Sequence, residues 1–167
     1  MYLTLKTTSP MILRRNEEKM ELLEGLLSRR SMRKFTGDTL SPAQLETIVK
    51  AGMHAPSAHN QRPWHILSVE DKNTHLAIRA LGQWWKMLDK AAALMVICAD
   101  PATNVDDMPW EYIVDGCAAV MQNMLLSAHA LELGAVWLGL CAETKDAAAA
   151  VKKFLSIPAT LHIMGTA

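Results

Sequence analysis

The chain has no excess of charge of either sign: its 17 lysines and arginines balance 17 aspartates and glutamates over 167 residues. A formal net charge of zero leaves no global field to draw in nucleic acid or an anionic membrane, so any binding of phosphate has to be local. Cysteine is scarce too. Cys98, Cys117 and Cys141 are odd in number, widely spaced and set in apolar runs, which reads as buried free thiols in a reducing compartment and not as a disulfide framework. No C-x-x-C pair occurs, and the six histidines show no ligand spacing with cysteines or carboxylates, so no metal site is expected.

Long hydrophobic runs are missing as well. The longest uncharged apolar run, 116–131, is interrupted by Gln122, Asn123, Ser127 and His129 and is too short for a good bilayer span. Residues 1–11 lack an apolar core followed by a small-residue cleavage site, so a signal peptide is not read there, and a cytoplasmic location is expected. No G-x-G-x-x-G follows the first strand pattern. A Rossmann dinucleotide site therefore lacks its signature, and a nicotinamide cofactor would visit only as a substrate. Neither repeats nor linkers appear, and the length fits one domain over 16–167, preceded by a tail or arm of residues 1–15.

Half the residues are hydrophobic, enough for a substantial core. Asn16 caps a helical pattern that runs to Arg30, with Met20, Leu23, Leu26 and Leu27 on one face. Ser41-Pro42-Ala43-Gln44 starts a second helix that Pro56 ends, with Leu45, Ile48, Val49 and Met53 facing inward. A strand is expected over 64–70, and a helix over 72–90 with Ala77, Leu81, Trp84 and Leu88 on one face. The apolar run 93–99 suits a strand covered on both sides, and 102–109 is a polar loop. A long central helix, apolar almost all round, is predicted for 110–133, then a buried strand at 135–140, a helix at 144–155 and a last strand at 160–167. Interleaved strands and helices give a layered α/β arrangement.

Two stretches carry chemistry. Arg29-Arg30-Ser31-Met32-Arg33-Lys34-Phe35 crowds permanently charged, planar forks beside a hydroxyl, the donor set of an anion cradle. The plainer reading is a basic cluster that complements a helix dipole. His54-Ala55-Pro56-Ser57-Ala58-His59-Asn60-Gln61-Arg62-Pro63-Trp64 is a polar loop stiffened by two prolines, whose side chains can read the edge of a flat polar ring. Together they look like a nucleotide site. Each residue has a bland role as well: Pro56 ends a helix, Asn60 satisfies its own turn, and Gly139 packs in a strand. His54, His59 and Cys141 are read as local or inert groups, and no protein acid, base or nucleophile is assigned.

R-R-S-x-R-x-F followed by A-P-S-A-x-N, a P-W pair and then L-G-A-V-W-L-G-L resembles the nitroreductase family of FMN-dependent oxidoreductases. The resemblance implies an α/β (α+β) fold with a mixed, mainly antiparallel sheet flanked by helices. It also implies an intertwined homodimer with FMN at the interface. On that pattern Arg29, Arg30 and Ser31 hold the phosphate and ribityl chain. Arg33 approaches the N1 and C2-carbonyl edge of the flavin, where a cation stabilises negative charge on the reduced ring. From the other subunit come Pro56, Ser57, Ala58 and Asn60 along the pyrimidine ring. Gln83 corresponds more loosely to an amide contact, and Gly139 with Leu140 falls where a backbone N–H meets flavin N5. The implied activity is ping-pong hydride transfer from NAD(P)H to a nitroaromatic, quinone or similar acceptor. A non-catalytic flavin-binding protein, or other flavin chemistry on the same fold, is the alternative.

Two departures stand out. Arg62 occupies the position where the family usually has Gln. The resemblance also stops at Ala167, where family members continue through a G-Y-P-type turn to a basic residue that grips the phosphate, so the expectation is either a truncated or naturally minimal member, or one with reduced phosphate affinity and dimer stability.

Overall fold

The computed structural model describes residues 20–82, 84–103, 109–139 and 145–167. Eight regular elements follow in order: α1 (Leu22–Ser28), α2 (Pro42–Met53), β1 (Trp64–Val69), α3 (Lys72–Arg79), β2 (Leu94–Ala99), α4 (Trp110–Ala130), α5 (Lys145–Phe154) and β3 (His162–Thr166). The strands form an antiparallel sheet in the order β1-β2-β3. Two isolated bridges extend it. Leu138 pairs antiparallel with Thr166, and Ala135 pairs parallel with Ser31, so the sheet is mixed and mainly antiparallel, as the family pattern implies.

β2 explains the layering. Every one of its residues is buried, and they alternate between two cores. Leu94, Val96 and Cys98 point into a cluster with Ile78, Trp85, Leu88, Val136 and Val151. Met95, Ile97 and Ala99 point into another with Ile48, Ile113, Val120, Met121 and Met124. A sheet so covered on both faces needs the near-continuous apolar sequence that 93–99 supplies.

α4, at 21 residues about 31 Å long, spans the second layer. Its main helical partner is α2. Gly52 permits their close approach, since a Cβ there would come to 2.8 Å from Met124 Cγ and 3.0 Å from Ile66 Cδ1. α2 begins with a full capping box: Ser41 Oγ accepts the Gln44 N–H, and Gln44 Oε1 accepts the Ser41 N–H at 2.9 Å. Among the described residues no helix is long and apolar enough to cross a membrane.

Some elements differ from the pattern reading. The helix expected over 72–90 stops at Arg79, and the chain resumes as a single 3₁₀ turn at Lys86–Asp89. Gly82 is a poor helix former, and leaving the helix lets Trp85 enter the core, 2% exposed, while Trp84 lies 68% exposed. A continuous helix would have turned Trp84 inward. The strand expected at 135–140 is reduced to bridges at Ala135 and Leu138, because its two neighbours pair with different residues along it. The long helix ends at Ala130, and the first helix begins at Leu22. Asn16, residues 1–15, Cys141, Thr144 and most of the 102–109 loop lie outside the described residues.

Candidate functional site

α1 is seven residues long, and its C-terminal end delivers the basic segment. Arg30 turns back on it: Nη1 donates to the carbonyls of Leu27 and Arg29, both at 2.8 Å. That is the dipole-complementing role of a cation at a helix end. By contrast, the side chains of Arg29, half-buried, and Arg33, exposed, make no hydrogen bond or ion pair among the described residues. Ser28 Oγ donates to Glu24 O at 2.6 Å and lies 2.8 Å from His129 Nε2, which ties the end of α1 to the end of α4.

Beyond α1 the segment is extended and lies along the sheet edge. The Met32 N–H donates to Ala135 O at 2.9 Å. Successive side chains then alternate in direction. Met32 and Lys34 line an open pocket of about 400 Å³, and Ser31 and Arg33, exposed as Met32 and Lys34 also are, take no part in lining it. On the neighbouring segment, Leu138 exchanges both backbone hydrogen bonds with Thr166, at 2.8 and 3.1 Å, and the exposed Gly139 follows directly. The basic segment and Gly139 are thus brought to one edge of one chain. Leu140 and Gln83 lie outside the described residues.

The Pro56–Pro63 loop is built differently. Three of its non-glycine residues take left-handed backbone, His59 (φ 50°), Asn60 (56°) and Arg62 (51°). Such conformations persist only where the surroundings hold them, and they concentrate at functional sites. Arg62 supplies part of the restraint here, beside the backbone bonds of Asn60 to Ser57 and Gln61 to Ala58. Its N–H donates to Ser57 Oγ at 2.9 Å, and its Nε donates to Asn60 Oδ1 at 3.0 Å. Pro56 and Asn60 are exposed, and Ser57 and Ala58 are half-buried. His54, at the end of α2, uses Nδ1 on Lys50 O at 2.8 Å, the local role expected for it.

These two sets of residues do not meet within one chain. The loop rests on the first half of α4, where a Cβ at Gly116 would stand 3.0 Å from the Trp64 ring and 3.8 Å from Ser57 Cβ. The basic segment is tied to the other end, at His129. Thirteen helical positions separate Gly116 from His129, roughly 20 Å along the axis. A single chain presents the two motifs at separate places along α4.

The donor set at the sheet edge fits a phosphate-bearing planar ring: two guanidinium forks not engaged within the described residues, a serine hydroxyl and an exposed glycine backbone. Sequence reasoning did not single out Ser28, His129, Trp137 and Gly165, which lie at or beside this edge. Only Trp137 left a signal, inside the L-G-A-V-W-L-G-L motif.

The nitroreductase family model matches residues 26–86 and 75–167. A relative from Archaeoglobus fulgidus, named as a candidate NADH dehydrogenase/NAD(P)H nitroreductase, is 35% identical over 143 residues, covering 86% of this chain and 80% of its own. A candidate nitroreductase from Desulfovibrio desulfuricans, solved in complex with FMN, is similar with a TM-score of 0.77 and 30% identity, covering 86% of this chain and 81% of its own. The NADPH:FMN oxidoreductase of Vibrio harveyi, solved with NAD+, gives a TM-score of 0.74 at 25% identity, over 86% of this chain and 65% of its own.

Proposed function

The chain belongs to the nitroreductase family, and from that premise we propose that it is an FMN-dependent NAD(P)H oxidoreductase whose flavin site is shared between two copies of the chain. When bound, FMN supplies two-electron hydride chemistry between a nicotinamide and an acceptor. The protein's part is to hold the ring and phosphate and to set the charge around them. Arg29 and Ser31 bind the phosphate and ribityl chain. Arg33 places a permanent positive charge beside the ring edge that becomes electron-rich on reduction. The backbone at Gly139 offers a donor that needs no side chain. The acceptor is a nitroaromatic, a quinone or a compound of similar electron demand.

The observation that carries this reading is the pairing of Ser31 with Ala135, which sets the basic segment and Gly139 on one sheet edge with Ser31 and Arg33 facing outward. The second half-site, Pro56 to Asn60, belongs to the other copy in this account. The surface of α1 supports dimerisation: Leu22 (71%), Leu23 (71%), Leu26 (44%) and Leu27 (76%) are exposed on a seven-residue helix. Burying a fully exposed leucine is favourable by about 1.5–3 kcal/mol, and proportionately less for these partly exposed ones, so a partner copy that covers them is favoured.

The test is the visible spectrum of the purified protein titrated with FMN, then with NADH and NADPH without oxygen. Saturable flavin bands that bleach with either nicotinamide support the reading. Flavin that binds and does not bleach points to a carrier, and no binding refutes the site.

A further inference from the structure

The backbone donor at the end of the 135–139 segment has no side chain to aim it, so its precision has to come from whatever fixes that segment. The ladder is sparse: among the described residues one bond joins it to Met32 at Ala135, and one reciprocal pair joins it to β3 at Leu138. Trp137 lies between the two anchors. Val136 and Leu138 are buried in the core on one face of the sheet, and Trp137 projects to the opposite face, toward α4.

There its indole lies across Gly165 of β3. A Cβ at residue 165 would stand 2.6 Å from Trp137 Nε1, 3.4 Å from Cε2 and 3.2 Å from Met121 Cε. Gly165 does not have a positive φ, so glycine is required there for space and not for backbone freedom. Glycine weakens a strand interior, and here the gain is a seat for an aromatic ring that remains 45% exposed.

We propose that Trp137, seated on Gly165, is a positioning residue: the ring braces the 135–139 segment against β3 and so fixes the backbone N–H donor of Gly139 relative to Arg33. This rests on the flavin reading above. Trp137 itself donates or accepts no proton in this role.

The experiment titrates FMN into wild type, Trp137→Ala, Trp137→Phe, Gly165→Ala and the double variant Gly165→Ala/Trp137→Phe, reading flavin fluorescence and the shape of the bound flavin's visible bands, with thermal unfolding of each protein alongside. Phenylalanine keeps a flat ring and lacks the Nε1 atom that a Cβ at 165 would meet. Gly165→Ala and Trp137→Ala are expected to bind FMN at least about tenfold more weakly with altered bands, Trp137→Phe to stay within about threefold of wild type, and the double variant to recover to the Trp137→Phe level. Wild-type affinity and bands in Gly165→Ala, or a double variant as weak as Gly165→Ala, would overturn the proposal. Should Gly165→Ala not fold, equal affinities for Trp137→Ala and Trp137→Phe overturn it. A wild type that binds no FMN removes the flavin reading and this proposal together, whereas a wild type that binds with uncoupled variants removes only the brace.

Discussion

Ser31 and Ala135 face each other across a parallel bridge, and the Met32 N–H closes it on Ala135 O at 2.9 Å. That contact joins the segment after α1 to the sheet edge, with Ser31 and Arg33 exposed. Of Arg29, Arg30 and Arg33, only Arg30 has its guanidinium engaged among the described residues, on the carbonyls of Leu27 and Arg29.

Arg29→Ala and Arg33→Ala are therefore expected to weaken FMN binding by about tenfold or more each, the range for losing a hydrogen bond to a charged group, with little change in thermal stability. Arg30→Ala is expected to lower the thermal midpoint as well, since it strips a donor from the carbonyls of Leu27 and Arg29 at the end of α1. Fluorescence titration and melting curves on the three variants check the division. Equal losses of affinity with no difference in stability would contradict it.

Ser41→Ala removes one half of the capping box of α2. A loss of about 1 kcal/mol in urea unfolding is expected, with FMN affinity unchanged because α2 only supports the loop.

Burial, and secondarily the nearby Cys98, pushes the Cys117 thiol up to about 12 from an ordinary value of 9.0. The folded state thus holds this proton more tightly than the unfolded chain does. Its contribution to stability is complete below pH 9 and is lost as pH rises through the interval toward 12. Native protein at pH 8 is expected to leave Cys117 unalkylated, as read by peptide mass mapping, and Cys117→Ala is expected to flatten the alkaline decline in denaturant stability.

Local chemistry was legible in the sequence. The start of α2 follows from Ser41, Pro42 and Gln44 alone, and the doubly covered β2 follows from six consecutive apolar residues. What the pattern missed is non-local. Trp84 and Trp85 are identical in type, and only the break after Arg79 decides which is buried. The 135–138 segment looked like an ordinary strand because nothing in its own residues shows that β3 and residues 31–32 pair with it at different points. The contact between Trp137 and Gly165 depends on a space that no window of sequence displays. The two motifs were visible, but the distance between them along α4 was not.

The central claim is that the basic segment of one chain and the Pro56–Asn60 loop of another make one flavin site, and a hybrid dimer tests it most directly. Arg29→Ala/Arg33→Ala chains and Asn60→Ala/Pro56→Ala chains are purified separately, then co-expressed with different tags and isolated as the mixed dimer. Each parent is expected to bind FMN poorly, and the hybrid is expected to regain one tight site per two chains, because one of its two sites contains neither set of substitutions. A hybrid that binds no better than its parents would mean that both motifs act within the same chain, against the account.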